Sequence, residues 1–246
     1  MTQNIHYTTI VEDGAKIAFD VIIGPFCFIG KGVEIKSGSI LESNIILKGS
    51  VTIAENVKIF SFATIGSENS EIKIGAKTHI REFSQIGTQE SENTTDNKIT
   101  IGENNFIMGY SQIFLGVELG DFCIITNAVK VYENVKCQEK VILGGFSTIE
   151  ANNTIGTGVM IGGASVVNTD IPPFTLVEGN KATIKGLNVI GLRRRVENKK
   201  DIEEIKAVYK KILGNGLDKN LAKEIASSNK NEYIYKLASF VASCNL

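Results

Sequence analysis

Groups able to do chemistry are sparse in these 246 residues. There are two histidines, His6 and His79, and four cysteines, Cys27, Cys123, Cys137 and Cys244, with no C-x-x-C pair among them. That spacing supports neither a zinc site nor a disulfide framework, and no metal or cofactor is expected. The densest run of charge is Arg193-Arg194-Arg195, followed by Lys199 and Lys200. Guanidinium forks suit phosphate oxygens, so one reading of this run is a local anion site. The competing reading of the same run is a solvated, basic start to a helical region.

Such groups need a scaffold, and the scaffold is written as a repeat. Aliphatic residues recur every sixth position from Val11 to Ile65, again at Ile74, Ile80 and Ile86, and again from Ile101 to Val167, with Cys137 the one non-aliphatic member. A helix cannot keep a period of six on one face, because its own period of 3.6 carries successive positions around the cylinder. Short strands joined by tight turns can. Three hexads close one triangular coil, and roughly eight coils spaced about 4.8 Å apart would stack into a prism on the order of 40 Å long. Two polar stretches, residues 66–73 and 87–100, displace the repeat without ending it and read as loops leaving one face. The repeat reads as stopping at Asp170-Ile171-Pro172-Pro173, since prolines end regular pairing. After a connecting segment (171–196), helical periodicity returns over residues 201–213, with further helices expected near 218–227 and 230–243. The expected organisation is a β-prism (1–170), the connector, and a small helical domain (197–246).

Bulk properties bound the partners. A formal charge of -1, from 26 basic and 27 acidic side chains, argues against nucleic acid as a ligand. The first residues lack a signal-peptide pattern, and no apolar run is long enough for a membrane span, so a cytoplasmic protein is expected.

Beyond the repeat, more specific motifs stand at Gly162-Gly163-Ala164-Ser165, Glu178-Gly179-Asn180-Lys181-Ala182-Thr183 and Gly186-Leu187-Asn188-Val189-Ile190-Gly191-Leu192-Arg193-Arg194-Arg195. On these, the chain resembles the acyl-carrier-protein-dependent UDP-N-acetylglucosamine O-acyltransferases of lipid A synthesis, over essentially its whole length. The resemblance implies a left-handed parallel β-helix with a C-terminal α-helical domain. It also implies a homotrimer with clefts between neighbouring prisms, and transfer of an acyl group from acyl carrier protein to a sugar hydroxyl.

By that resemblance Asn188, Arg194 and Arg195 face the nucleotide and the carrier, Lys73 matches a sugar-side lysine, and Gly163 matches the residue that limits acyl-chain length. The family's general base falls on Leu115, which cannot accept a proton. Its other cleft histidines fall on Gly87, Gln112, Asn134, Glu150 and Lys181. Gln112 is kept as a substrate-binding candidate, and Glu150 and Glu118 as replacement bases, since a partly buried carboxylate can take a proton. The expected function is therefore a UDP-sugar-binding acyltransferase of altered or weak catalysis, using an acyl-carrier-protein or coenzyme A thioester. Two alternatives stay open. One is a different donor or an amino-sugar acceptor, and the other is a non-catalytic paralogue that binds ligand or joins a mixed trimer.

Overall fold

The structure, a computed structural model, describes residues 4–88, 97–214 and 216–244. The six-residue period becomes a three-sided parallel β-helix. Following the chain, among the described residues the first face carries eleven strands, the second nine and the third eight. On the first face Asn4–Ile5 pairs with Ile22–Ile23, on the second Ile10–Val11 with Phe28–Ile29, and on the third Lys16–Ile17 with Val33–Ile35. The chain turns at a leading edge between the first and second faces, a middle edge between the second and third, and a closing edge back to the first.

Each inward aliphatic stacks on its equivalent in the coils above and below. Ile23, Leu41, Ile59, Ile80, Ile107, Ile125, Leu143 and Ile161 form one such column, and none is more than 1% exposed. Each such burial contributes about 1.5–3 kcal/mol. The buried Asn105 side chain is satisfied by backbone: it donates to the Gly102 and Gly120 carbonyls at 2.8 and 3.0 Å and accepts from the Cys123 amide at 2.6 Å. The cysteines are buried and unpaired, and burial pushes the Cys123 thiol up to about 11. That value holds it as the unreactive thiol near neutral pH.

The turns use the left-handed backbone region. Asn occupies it at Asn44, Asn56, Asn104, Asn134 and Asn152, but the leading edge places Phe26, Phe62, Phe83, Tyr110 and Phe146 there, with φ between 59° and 65°. Side chains larger than Asn are strained in this region, at about 1–2 kcal/mol per residue.

Two details differ from the sequence reading. The interruptions are narrower than 66–73 and 87–100, because Glu71–Ile74 and Lys98–Ile101 are strands of the third face that pair with each other. Ile72 and Ile99 point inward and are buried, a hexad partner that the polar neighbours hid. Part of the second loop, residues 89–96, lies outside the described residues. Stacking also continues past the prolines. Ile171 bridges to Ile155, and Thr175–Glu178 adds to the first face before Thr183–Leu187 closes it antiparallel. Pro172 and Pro173 fall in the turn, where their missing N–H groups cost no ladder bond.

Four helices follow among the described residues: α1 (Val189–Arg193), α2 (Lys199–Ile212), α3 (Lys219–Ser228) and α4 (Glu232–Ser243). Each has an Asn or Asp cap: Asn188, Asn198, Asp218 and Asn231. Their core, including Leu192, Ile205, Ile212, Ile234 and Leu237, is joined to the prism by Phe174. Phe174 is itself a closing-edge turn residue, and its ring lies 5.8 Å from that of Tyr233.

Candidate functional site

Two clusters form, one on each of two edges. On the second face near the middle edge, Gln112 points outward and its Nε2 donates to Gln85 Oε1 at 2.9 Å. Its own Oε1 is buried with no partner among the described residues. Leu115 follows at the corner, 4% exposed and part of the prism's hydrophobic core. Beside it Phe114 is 1% exposed and stacks on Tyr132 of the next coil, rings 4.8 Å apart. Gly116 turns with φ +77°, and a Cβ there would run into the Asn134 side chain. Asn134 in turn donates to Asn152 Oδ1 at 3.0 Å. Glu150 begins the same corner one coil above Tyr132 and is exposed, without the partial burial on which its reading as a base relied.

Other candidates lie elsewhere. Lys73 and Glu118 point outward from the third face, where Lys73 pairs with Glu71 at 3.1 Å and Glu118 with Lys136 at 2.9 Å. Both are solvated ion pairs, which contribute little. Gly163 is exposed on the leading edge, where an added Cβ would sit 3.3 Å from the Gly145 carbonyl. Lys181 is exposed in the turn between Thr175–Glu178 and Thr183–Leu187, the last two strands of the first face. His6 contacts Thr8 at 2.9 Å, and His79 lies on the first face near the Phe106 ring.

The second cluster is on the closing edge. Asn188 caps α1 by accepting from Gly191 N at 2.9 Å, and its Nδ2 donates to the Gly158 carbonyl at 3.1 Å. Arg195 Nη2 donates to the Lys140 carbonyl at 3.1 Å, while Nη1 is buried with no acceptor among the described residues. Burial pulls the guanidinium down from its ordinary value, with Glu139 opposing. Gly158, at φ +69°, leaves the space Arg195 occupies. A cavity of about 300 Å³ adjoins it, lined in part by Glu139, Lys140, Arg195, Tyr233 and Lys236. Arg194 is exposed.

Within one chain the two clusters do not meet, because the middle and closing edges are separated by the third face. They do lie at similar heights along the prism. Sequence reasoning missed Phe114 and Tyr132, although their signal was present as aromatics at equivalent hexad positions one coil apart.

These features define a class: a hexapeptide-repeat β-helix with a helical cap, whose candidate site is split between two edges. Comparison with known proteins narrows it. A family model described as the second domain of UDP-N-acetylglucosamine O-acyltransferase matches residues 170–245. A curated relative from Aliarcobacter butzleri, named acyl-(acyl-carrier-protein)–UDP-N-acetylglucosamine O-acyltransferase, is 42% identical over 97% of this chain and 95% of its own. A relative of the same name from Nautilia profundicola is 41% identical over 77% and 76% of the two chains. Among solved structures, the UDP-N-acetylglucosamine acyltransferase from Campylobacter jejuni superposes with a TM-score of 0.90 at 30% identity, covering 98% of this chain and 97% of that one. The chain belongs to the UDP-N-acetylglucosamine O-acyltransferase family, and its fold is the left-handed parallel β-helix with C-terminal helices that the sequence led us to expect.

Proposed function

We propose that this protein is a cytoplasmic homotrimer serving lipid A synthesis, binding UDP-N-acetylglucosamine and an acyl thioester in clefts between neighbouring copies. The donor is an acyl-carrier-protein or coenzyme A thioester. Acyl transfer to the sugar is slow compared with histidine-bearing relatives. The nucleotide side of the cleft is Asn188, Arg194 and Arg195. The buried, unpaired Nη1 of Arg195 supports this, since a phosphate oxygen would satisfy it. Gln112, on the edge that Leu115 turns, serves the sugar.

The observation that carries the slow-transfer reading is the state of the middle edge. Where a proton acceptor is expected stand Leu115, drawn into the core, and the packed Phe114–Tyr132 pair. Loss of a positioned general base costs about 10²- to 10⁴-fold. Glu150 and Glu118 are both solvent-exposed and so are poorly placed to recover it. The same packing favours a second reading, in which the chain binds the UDP-sugar without turnover, alone or in a mixed trimer.

Calorimetric titration with UDP-N-acetylglucosamine tests the binding half. Saturable binding that weakens about tenfold or more in Arg194→Ala is expected. Absence of binding by the unaltered protein would overturn both readings.

A further inference from the structure

We propose that Tyr233 of α4 is a positioning residue for nucleotide binding, its hydroxyl holding the turn that presents Arg194 and Arg195 to the phosphates. The proposal rests on the reading above, in that it takes those two arginines as the nucleotide side of the cleft, and it adds a residue of the helical domain that acts through them.

The arginine run leaves α1 in a tight turn, where the Arg195 and Val196 amides both donate to the Leu192 carbonyl, at 3.0 and 2.8 Å. Beyond that local pair, Arg195 is tied at two points. Its Nη2 reaches the Lys140 carbonyl of the prism at 3.1 Å, and its own carbonyl accepts from Tyr233 Oη at 3.2 Å. The prism thus holds the side chain of Arg195, and the helical domain holds its backbone. Arg194, between α1 and this anchored residue, is exposed, and its side chain makes no hydrogen bond or ion pair among the described residues. Its placement follows the backbone of the turn.

Packing alone does not fix the turn. The cavity of about 300 Å³ opens beside it, with Arg195 and Tyr233 both half-buried in its wall, and a gap of that size leaves the turn room to shift. Tyr233 is held from elsewhere. Asn231 caps α4 by accepting from the Tyr233 and Ile234 amides at 3.0 and 3.4 Å. The Tyr233 ring lies tilted by 60° against Phe174, which is 1% exposed. A phenylalanine at 233 would keep that ring contact, so the tie to the turn belongs to the hydroxyl alone. A fixed hydroxyl against a turn with space beside it orders the arginines before the ligand arrives, and binding then does not have to supply that ordering.

The test is calorimetric titration with UDP-N-acetylglucosamine of the full chain, of Tyr233→Phe, of Arg194→Ala and of the two combined, with Tyr235→Phe as the control. Tyr235 lies on the same helix, 53% exposed, and its hydroxyl has no protein partner among the described residues. Tyr233→Phe is expected to weaken binding about three- to tenfold, the worth of one hydrogen bond, with the control unchanged. In the Arg194→Ala background the same substitution is expected to cost little more, because a residue that it positions is gone. A tyrosine with a purely structural role would lower the thermal midpoint and leave the affinity of the folded protein unmoved. That result overturns the proposal, and so does full additivity in the combined variant. Binding by the unaltered protein that Tyr233→Phe leaves unchanged sinks this proposal alone, whereas absence of binding by the unaltered protein sinks the functional reading and this proposal with it.

Discussion

Phe114 and Tyr132 lie ring on ring, 4.8 Å between centroids and 7° from parallel, at the corner that Leu115 turns. Together they make the middle edge a packed apolar surface where the family resemblance expects imidazole. On the proposed function, restoring one side chain is not expected to restore a site. Leu115→His would put a polar ring into the prism core, at a cost of about 2–4 kcal/mol. A lower denaturant midpoint with no gain in acyl transfer is expected, and a variant as stable as the parent would show that the corner can open.

Phe114 is 1% exposed yet stands outside the main core columns, held by Tyr132. Phe114→Ala should cost about 3 kcal/mol and Tyr132→Ala less, with the double variant less than additive because the two share one contact. Additive losses in a double-mutant denaturation cycle would show that the stack contributes nothing of its own.

Asn188 is predicted from family resemblance to contact nucleotide, and in the structure it also caps α1 and holds the Gly158 carbonyl. Asn188→Ala should destabilise by about 1 kcal/mol without ligand present. Asn188→Asp keeps the capping acceptor but sets a carboxylate oxygen against the Gly158 carbonyl in place of the Nδ2 donor, so it should recover only part of that loss. Equal stability of all three proteins by thermal denaturation would remove the cap from the account.

Glu139 and Lys236 tie the last coils to α4 at 2.9 Å. The hydrogen bond from Lys236 holds the Glu139 carboxyl below its ordinary value, against the opposing effect of burial. A lowered folded value means that the stabilisation is fully present above the unfolded value of 4.5 and is lost as pH falls through the folded one. Both groups are about a third exposed, so screening keeps the effect to about 1 kcal/mol or less. Lys236→Met should flatten the acid limb of the stability–pH curve below 4.5 and leave its neutral region nearly level. An unchanged acid limb would count against the pairing.

The prism was legible because one physical rule, an inward aliphatic every six residues, repeats with almost no exception, and Cys137 could be read as an inward residue from its register alone. Ile72 and Ile99 were missed because polar neighbours masked a single inward residue. The extra coil through Ile171 was missed because the prolines fall in a turn, which a local pattern cannot reveal. Of the candidate site, the residue types were readable but not their grouping. Gln112 and Leu115 share an edge, Asn188 and Arg195 share another, and Glu118 and Lys73 stand on the solvated third face between them. That division follows from coil geometry, which sequence spacing alone does not convey.

The central claim is that this chain keeps the family's scaffold and lacks its standard proton acceptor. The most direct measurement is acyl transfer to UDP-N-acetylglucosamine, run beside the Campylobacter jejuni relative with the same panel of acyl-carrier-protein and coenzyme A donors. The account predicts turnover about 10²- to 10⁴-fold below that relative, or none. Turnover equal to it would contradict the account.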